Sequence, residues 1–196
     1  IMKNWLLYSG GYDSTVLLYE LVQTTPNLDI VHIVTNYNEE ETKWARYHKS
    51  KLFGMYASYT EINVPLSKTE DEYIPFRNTN FIFNLLSNLT KQGDYGIIYL
   101  GLIKVEEPFI DCTEEWLEAL NTFILIENKG IQVLAPYINY TKNKVFQLGN
   151  AYGVKLKQTF SCNFPKDGKE CGECGNCKWR KNHKYPAYSP RITGGN

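Results

Sequence analysis

Two spacings of apolar residues take turns along the chain. Short continuous runs at 5–8, 30–34, 59–64, 96–100 and 133–134 have the length and composition of buried strands. Between them, at 14–22, 39–53, 78–90, 114–126 and 141–152, apolar residues return every three to four positions, the spacing of a helix with one face turned inward. The helix at 39–53 opens on Glu39, Glu40 and Glu41, which suit the positive end of the helix dipole. The helix at 141–152 stops at Gly153.

Strand–helix alternation predicts a mostly parallel sheet, because a parallel pair needs a crossover and the crossover helices cover both faces. The expected class is α/β, a Rossmann-like parallel sheet. In such sheets ligands sit beyond the carboxyl ends of the strands. From Ser161 the periodicity is lost and Cys, Gly, Lys and Asn dominate. The expected organisation is an α/β domain over 1–160 and a small appendage over 161–196, frayed at 194–196.

The first strand–helix junction reads Tyr8-Ser9-Gly10-Gly11-Tyr12-Asp13-Ser14-Thr15. Two glycines let the backbone turn sharply and bring N–H groups close to an anion, Ser9, Ser14 and Thr15 add hydroxyls, and the helix N-terminus adds its dipole. No Gly-Lys-Ser/Thr follows, so this is not a Walker A loop. The plain reading is a glycine turn with Asp13 or Ser14 as a helix cap. The segment also resembles the Ser-Gly-Gly-x-Asp-Ser signature of the PP-loop ATP pyrophosphatases, which implies an ATP triphosphate held over Tyr8 to Thr15. Asp13 beside phosphates needs a cation between them, so Mg²⁺ is expected there.

Cys162 precedes Cys171, Cys174 and Cys177, the last three at two-residue intervals among glycines. Four thiolates in such turns can close a tetrahedron around Zn²⁺. An iron–sulfur cluster uses the same ligand type, and disulfides do not fit a chain with no export signal. Cys112 stands apart and reads as a small buried hydrophobe. Lys166, Lys169, Lys178, Arg180, Lys181 and Lys184 surround the cluster, either as a solvated surface or with some members facing phosphate.

Twenty-one basic residues balance twenty-one acidic ones, which counts against a nucleic-acid partner, since phosphate neutralisation supplies most of that affinity. No apolar run is long enough for a membrane span. With no secretory pattern at the start, a cytoplasmic protein is expected.

Further segments narrow the choice. Ile74-Pro75-Phe76-Arg77-Asn78 is similar to a Val-Pro-Gly-Arg-Asn segment, Asp111-Cys112 to a Pro-Asp-Cys, and Pro136 to Lys142 to a Pro-Leu-x-x-x-Thr-Lys. Thr159 to Cys162 and Glu170 to Arg180 match a cysteine tail. In this order, over essentially the whole chain, they resemble the QueC family of 7-cyano-7-deazaguanine synthases. The resemblance implies that 7-carboxy-7-deazaguanine, ATP and ammonia are the substrates, in a homodimer. It implies ATP contacts from the Tyr8–Thr15 loop, Gly101 and Arg180, with Asp13, Ser14, Arg77 and Lys142 serving the chemistry. Tyr37, Arg77, Asn78 and Asp111 would bind the base, and the four cysteines would hold zinc.

Two departures stand out. Where the family has Tyr-Gly-Gln-Arg-His, this chain has Tyr37-Asn38-Glu39-Glu40-Glu41. Phe76 replaces a glycine and is expected to narrow any adjoining pocket. The chain is also compact, with short stretches between Val64 and Ile74 and before Asp111. Competing functions are a relative that stops at the amide, one that passes a deazaguanine-like group to a macromolecule, a tRNA-modifying PP-loop enzyme, and a non-catalytic zinc module for nucleic acid.

Overall fold

The computed structural model describes residues 2–66, 74–91, 93–104 and 109–183. Lys184 and the expected frayed end at 194–196 lie outside them. The elements follow the order Lys3–Tyr8 (β1), Tyr12–Thr24 (α1), Leu28–Val34 (β2), Glu39–Lys51 (α2), Ser58–Asn63 (β3), Arg77–Leu89 (α3), Gly96–Leu100 (β4), Glu114–Glu127 (α4), Ile131–Leu134 (β5), Lys142–Ala151 (α5) and Gly175–His183 (α6). Every strand expected from the spacing is present, with ends moved by at most a few residues. Thr141, expected inside its helix, is instead the N-cap, where its hydroxyl accepts from the Lys144 N–H.

The strands form one sheet in the order β3-β2-β1-β4-β5, with all four pairs parallel. Alternate side chains of β1 go to opposite faces, as a pleated strand requires. Leu6 and Tyr8 join Leu28 and Ile30 under α1, α2 and α5, against Val16, Leu17, Ala45 and Val145. Trp5 joins Val31, Ile33, Ile98 and Val133 under α3 and α4, against Ile82, Leu85, Leu120 and Ile124. Leu6, Leu17, Ile82 and Leu85 are fully buried, each worth about 1.5–3 kcal/mol of transfer free energy. These two cores fix the height at which the strands end, and the loops beyond those ends make the site.

The tail, expected as a small appendage, carries regular structure of its own. Its helix α6 hides Cys177 and Arg180, side chains that hydropathy does not count as a buried face. Among the described residues, no helix is long and apolar enough to cross a membrane.

Candidate active site and metal centre

β1 and β4 lie side by side at the middle of the sheet, where the strand order reverses and a crevice opens beyond the carboxyl ends. The chain leaves β1 through Ser9, Gly10 and Gly11. Gly10 has φ +85°, and a Cβ there would lie 2.2 Å from the Glu41 backbone oxygen, so α2 approaches too closely for any side chain. Gly101, just after β4, is excluded from a larger residue in the same way, since its Cβ would stand 2.7 Å from the Ser14 Cα. Its part is to let β4 close on α1.

Hydroxyls brace the loop from below. Thr15 Oγ1 donates to the Gly11 carbonyl at 2.7 Å, so the Tyr8 hydroxyl, 3.0 Å away, is the donor to Thr15. Burial pushes the Tyr8 phenol well above its ordinary pKa, and it stays a neutral donor. Ser9 Oγ accepts from the Gly11 N–H at 3.1 Å and lies 2.8 Å from Ser14 Oγ. Gly11 is the N-cap of α1 and has no side chain to satisfy that helix end. The Tyr12 ring turns away from the loop to pack on Phe146 and Trp179.

Asp13 stands in the first turn of α1, where its Oδ1 is buried with no hydrogen-bond partner among the described residues. Burial raises its pKa, against the opposing pull of Lys142 and Arg180. A buried carboxylate oxygen with no donor is a ready ligand for a hard cation. Lys142 opens α5, donates to the Asn176 side chain and lies over the Trp179 ring at 5.0 Å.

Arg180 is 3% exposed, and its guanidinium binds Glu170 at 2.6 Å, Thr159 Oγ1 at 3.0 Å and the Leu156 and Thr159 carbonyls at 2.9 and 2.7 Å. Its donors tie α6 to the segment that leads into the tail, and its charge reaches Asp13 only through space. The tail in turn closes the loop: the Tyr12 N–H donates to Ser161 Oγ at 3.2 Å, and the Phe160 N–H to the Gly10 carbonyl at 3.4 Å.

Asn78 and Asp111 meet at the start of α3, which Arg77 opens. Phe76, the N-cap position, has φ 57° and no capping side chain. Asp111 supplies the missing acceptor, taking the Asn78 N–H on Oδ2 at 2.9 Å, while its own carbonyl accepts from Asn78 Nδ2 at 2.9 Å. At 3% exposure, Asp111 therefore acts as a cap contributed from a distant loop. Cys112 beside it is half-buried, and burial pushes its thiol up to about 11. Phe76 itself is 72% exposed, so its ring lies out in solvent, where it was expected to narrow a pocket. Its left-handed backbone accounts for a glycine being the easier residue there. Tyr37, after β2, donates its hydroxyl to the Leu66 carbonyl at 2.8 Å.

The three glutamates at the start of α2 do not share one role. Glu39 and Glu40 pair with Lys43 at 3.3 and 2.5 Å, Glu39 out in solvent and Glu40 against Gly168 of the tail. Glu41 shares its stripe of the helix with Ala45 and His48 and faces the phosphate loop and the tail. Burial raises its carboxyl to about 7 despite the opposing charge of Arg77. His48, pushed down to about 4 by burial, donates from Nε2 to the Gln158 carbonyl at 2.8 Å, so its Nδ1 accepts from the Tyr19 hydroxyl. Glu41 and Ser161 are the site residues that sequence reasoning missed. The acidic run stood out for the helix dipole and as a departure from the family pattern, with no role given to Glu41 itself, and nothing around Ser161 signalled a contact with the loop.

The four sulfur atoms of Cys162, Cys171, Cys174 and Cys177 lie within 4.8 Å of one another. The Cys171–Cys177 separation is 3.9 Å, close to the roughly 3.8 Å edge of a tetrahedron with 2.3 Å metal–sulfur bonds. N–H groups of Cys174 and Glu173 point at Cys171 Sγ, both at 3.4 Å, and these donors hold its thiol down at about 6. The cluster can hold a metal ion. Two shallow depressions, of about 420 and 540 Å³, lie elsewhere, one beside Arg46 and Tyr59 and one beside Met2 and Gly130. The second is at the amino ends of the strands, the wrong end for a ligand of a parallel sheet.

A parallel sheet with a glycine loop at its switch point, closed by a four-cysteine tail, makes an α/β chain with the architecture of the PP-loop class. The sequence profile of the family described as "Queuosine biosynthesis protein QueC" matches residues 45–185, and the chain belongs to that family. Similar proteins named 7-cyano-7-deazaguanine synthase occur in Leptospira interrogans, at 28% identity over 91% of this chain and 85% of the relative. Others are in Cellvibrio japonicus, at 28% over 91% of each chain, and Nitratiruptor, at 26% over 91% and 92%. A solved structure described as a predicted subunit of tRNA methyltransferase from Methanocaldococcus jannaschii is a loose likeness of fold, with a TM-score of 0.49 and 16% identity over 76% of this chain and 74% of that one.

Proposed function

We propose that the chain is an ATP-dependent synthase that converts 7-carboxy-7-deazaguanine and ammonia to 7-cyano-7-deazaguanine. The observation that carries this reading is the glycine loop at the sheet's switch point, braced by Tyr12–Ser161, in a chain of this family. A carboxylate is a poor electrophile. Transfer of AMP to its oxygen gives a mixed anhydride whose carbon ammonia can attack, releasing AMP and leaving the amide. A second AMP transfer, to the amide oxygen, lets that oxygen leave as AMP and gives the nitrile. Positioning and charge stabilisation are what the protein must supply.

The loop N–H groups and hydroxyls of Ser9 to Thr15 hold the triphosphate in this reading. Asp13 Oδ1, buried without a donor, takes the Mg²⁺, and Lys142, whose charge reaches Asp13, neutralises phosphate. Arg77 balances the substrate carboxylate at the crevice. The tail over 161–196 binds Zn²⁺ as a unit distinct from 1–160. Cys162, Cys171, Cys174 and Cys177 would supply all four ligands, so the ion would serve the fold and leave no position for substrate. The protein works in the cytoplasm without nucleic acid, and the zero net charge supports this. Exposed Phe83, Phe123 and Ile126 on α3 and α4 give an apolar face for the homodimer.

The test is mass spectrometry of the product formed from ATP, ammonium and 7-carboxy-7-deazaguanine. The nitrile is expected, with AMP and pyrophosphate. An amide as the end product would identify the variant that stops early, and no product at all would overturn the assignment.

A further inference from the structure

We propose that the Glu41 carboxylate is the base that takes the proton from the attacking ammonia. The inference rests on the synthase reading above and assigns a proton acceptor to its bond-forming step.

The geometry begins with Gly10. A Cβ on Gly10 would lie 2.2 Å from the Glu41 carbonyl oxygen and 3.3 Å from the Ala45 N, so the first turn of α2 lies directly on the phosphate loop. Glu41 is on the loop side of that turn, while Glu39 turns outward and Glu40 lies against Gly168 of the tail, both paired with Lys43. In the acyl adenylate the reacting carbon is joined to the α-phosphorus through a single bridging oxygen. The Glu41 main chain is fixed beside the phosphate loop, and in this proposal its side chain reaches toward the carbon that ammonia attacks. Few other groups on this side can act as a base. The buried His32 ring is engaged at both nitrogens, by the Tyr8 carbonyl and Thr42, and His48 is engaged by Tyr19 and Gln158.

The step balances without further reagents. The ammonia nitrogen forms a bond to the acyl carbon, the bond from that carbon to the adenylate oxygen breaks, and AMP leaves with the electron pair. The nitrogen, now carrying an extra proton, passes it to a Glu41 carboxylate oxygen. The proton returns to water before the next turnover, since Glu41 as a residue keeps an intermediate exposure although its carboxyl lies deep enough for burial to raise it.

The charged and titratable groups around Glu41 set when it can act. Arg77 at the start of α3 favours the carboxylate, the Tyr8 phenol stays neutral beneath it, and Lys43 is held by Glu39 and Glu40. Burial leaves the carboxyl near 7, so close to neutral pH it is both partly ionised and basic enough to accept a proton, the balance general bases need.

Two activities of Glu41→Gln and the wild type separate the possibilities. One is pyrophosphate exchange into ATP driven by 7-carboxy-7-deazaguanine, which reports the first AMP transfer. The other is ammonia-dependent product formation. In Glu41→Gln, exchange is expected within about threefold of wild type, while amide and nitrile formation falls on the order of 10²-fold or more. Once the rate is corrected for the fraction of free ammonia, the acid limb that remains in the wild-type pH profile near neutrality is expected to vanish in the variant. Glu41→His, which puts another group titrating near neutrality in the same place, should restore a large part of the rate. A fall of less than tenfold in product formation, or an equal fall in exchange and product, would overturn the assignment and leave Glu41 a support for the loop. If the wild type itself shows no exchange, the synthase reading fails, and this inference fails with it.

Discussion

Asp13 carries a carboxyl where its surroundings disfavour the charge. Its Oδ1 is buried without a donor, and burial raises its pKa above the usual 3.8. The folded protein therefore holds that proton more tightly than the unfolded chain does. Stability is fully present below pH 3.8 and declines as pH rises through the raised value. Glu41 acts in the same direction, between 4.5 and about 7. His48 opposes both, because its depressed pKa means that stability is lost as pH falls from 6.5 toward about 4. Asp13→Asn removes one cost of ionisation and one expected cation ligand together. Thermal melts should show this variant more stable than wild type at pH 8, with the gap closing toward pH 4, while AMP and pyrophosphate formation is lost. A variant that keeps turning over would remove Asp13 from the chemistry.

Among the elements, α3 shows how a local rule can be broken and repaired from elsewhere. Phe76 sits at its N-cap with φ 57° and no capping oxygen, and Asp111 reaches in from the loop before α4 to take the Asn78 N–H. Left-handed backbone costs a residue with a Cβ about 1–2 kcal/mol, and the ring recovers little of this at 72% exposure. Phe76→Gly should raise stability by up to about 1 kcal/mol, part of the gain being lost to the freer unfolded chain. Denaturant titration measures it, and a loss of stability would mean that the ring has contacts that matter. Such pairings also mark where sequence reading stops. The strands and five of the helices could be read because their apolar spacing is local, and so could the Ser9–Gly11 turn. The helix α6 could not, because its inward face is Cys177 and Arg180, which become core only through a thiolate cluster and an ion pair with Glu170. Glu41 looked like its two neighbours until the close approach of Gly10 distinguished it. Contacts across 149 residues, such as Tyr12 to Ser161, leave no periodic trace.

At the scale of the molecule, the cysteine cluster and the glycine loop are tied together. Cys162 follows directly on Phe160 and Ser161, which bond to Gly10 and Tyr12, and Trp44 packs against the cysteine cluster from α2. An open coordination shell would free that strap, since metal binding and local folding are coupled. Removal of the metal with a chelator should therefore weaken ATP binding tenfold or more, although no cysteine belongs to the phosphate loop. Calorimetric titration of ATP before and after chelation reads this directly, and unchanged affinity would show that the loop holds its shape alone.

That strap also gives the molecule a history within its own synthesis. Residues 9–15 leave the ribosome well before Phe160 and Ser161, which close over them and come after all five strands. A growing chain can complete its sheet and still lack a finished seat for a nucleotide. ATP, abundant throughout translation, is thus kept from stabilising half-made protein, and capture of the nucleotide becomes a mark of a chain whose tail has already been built.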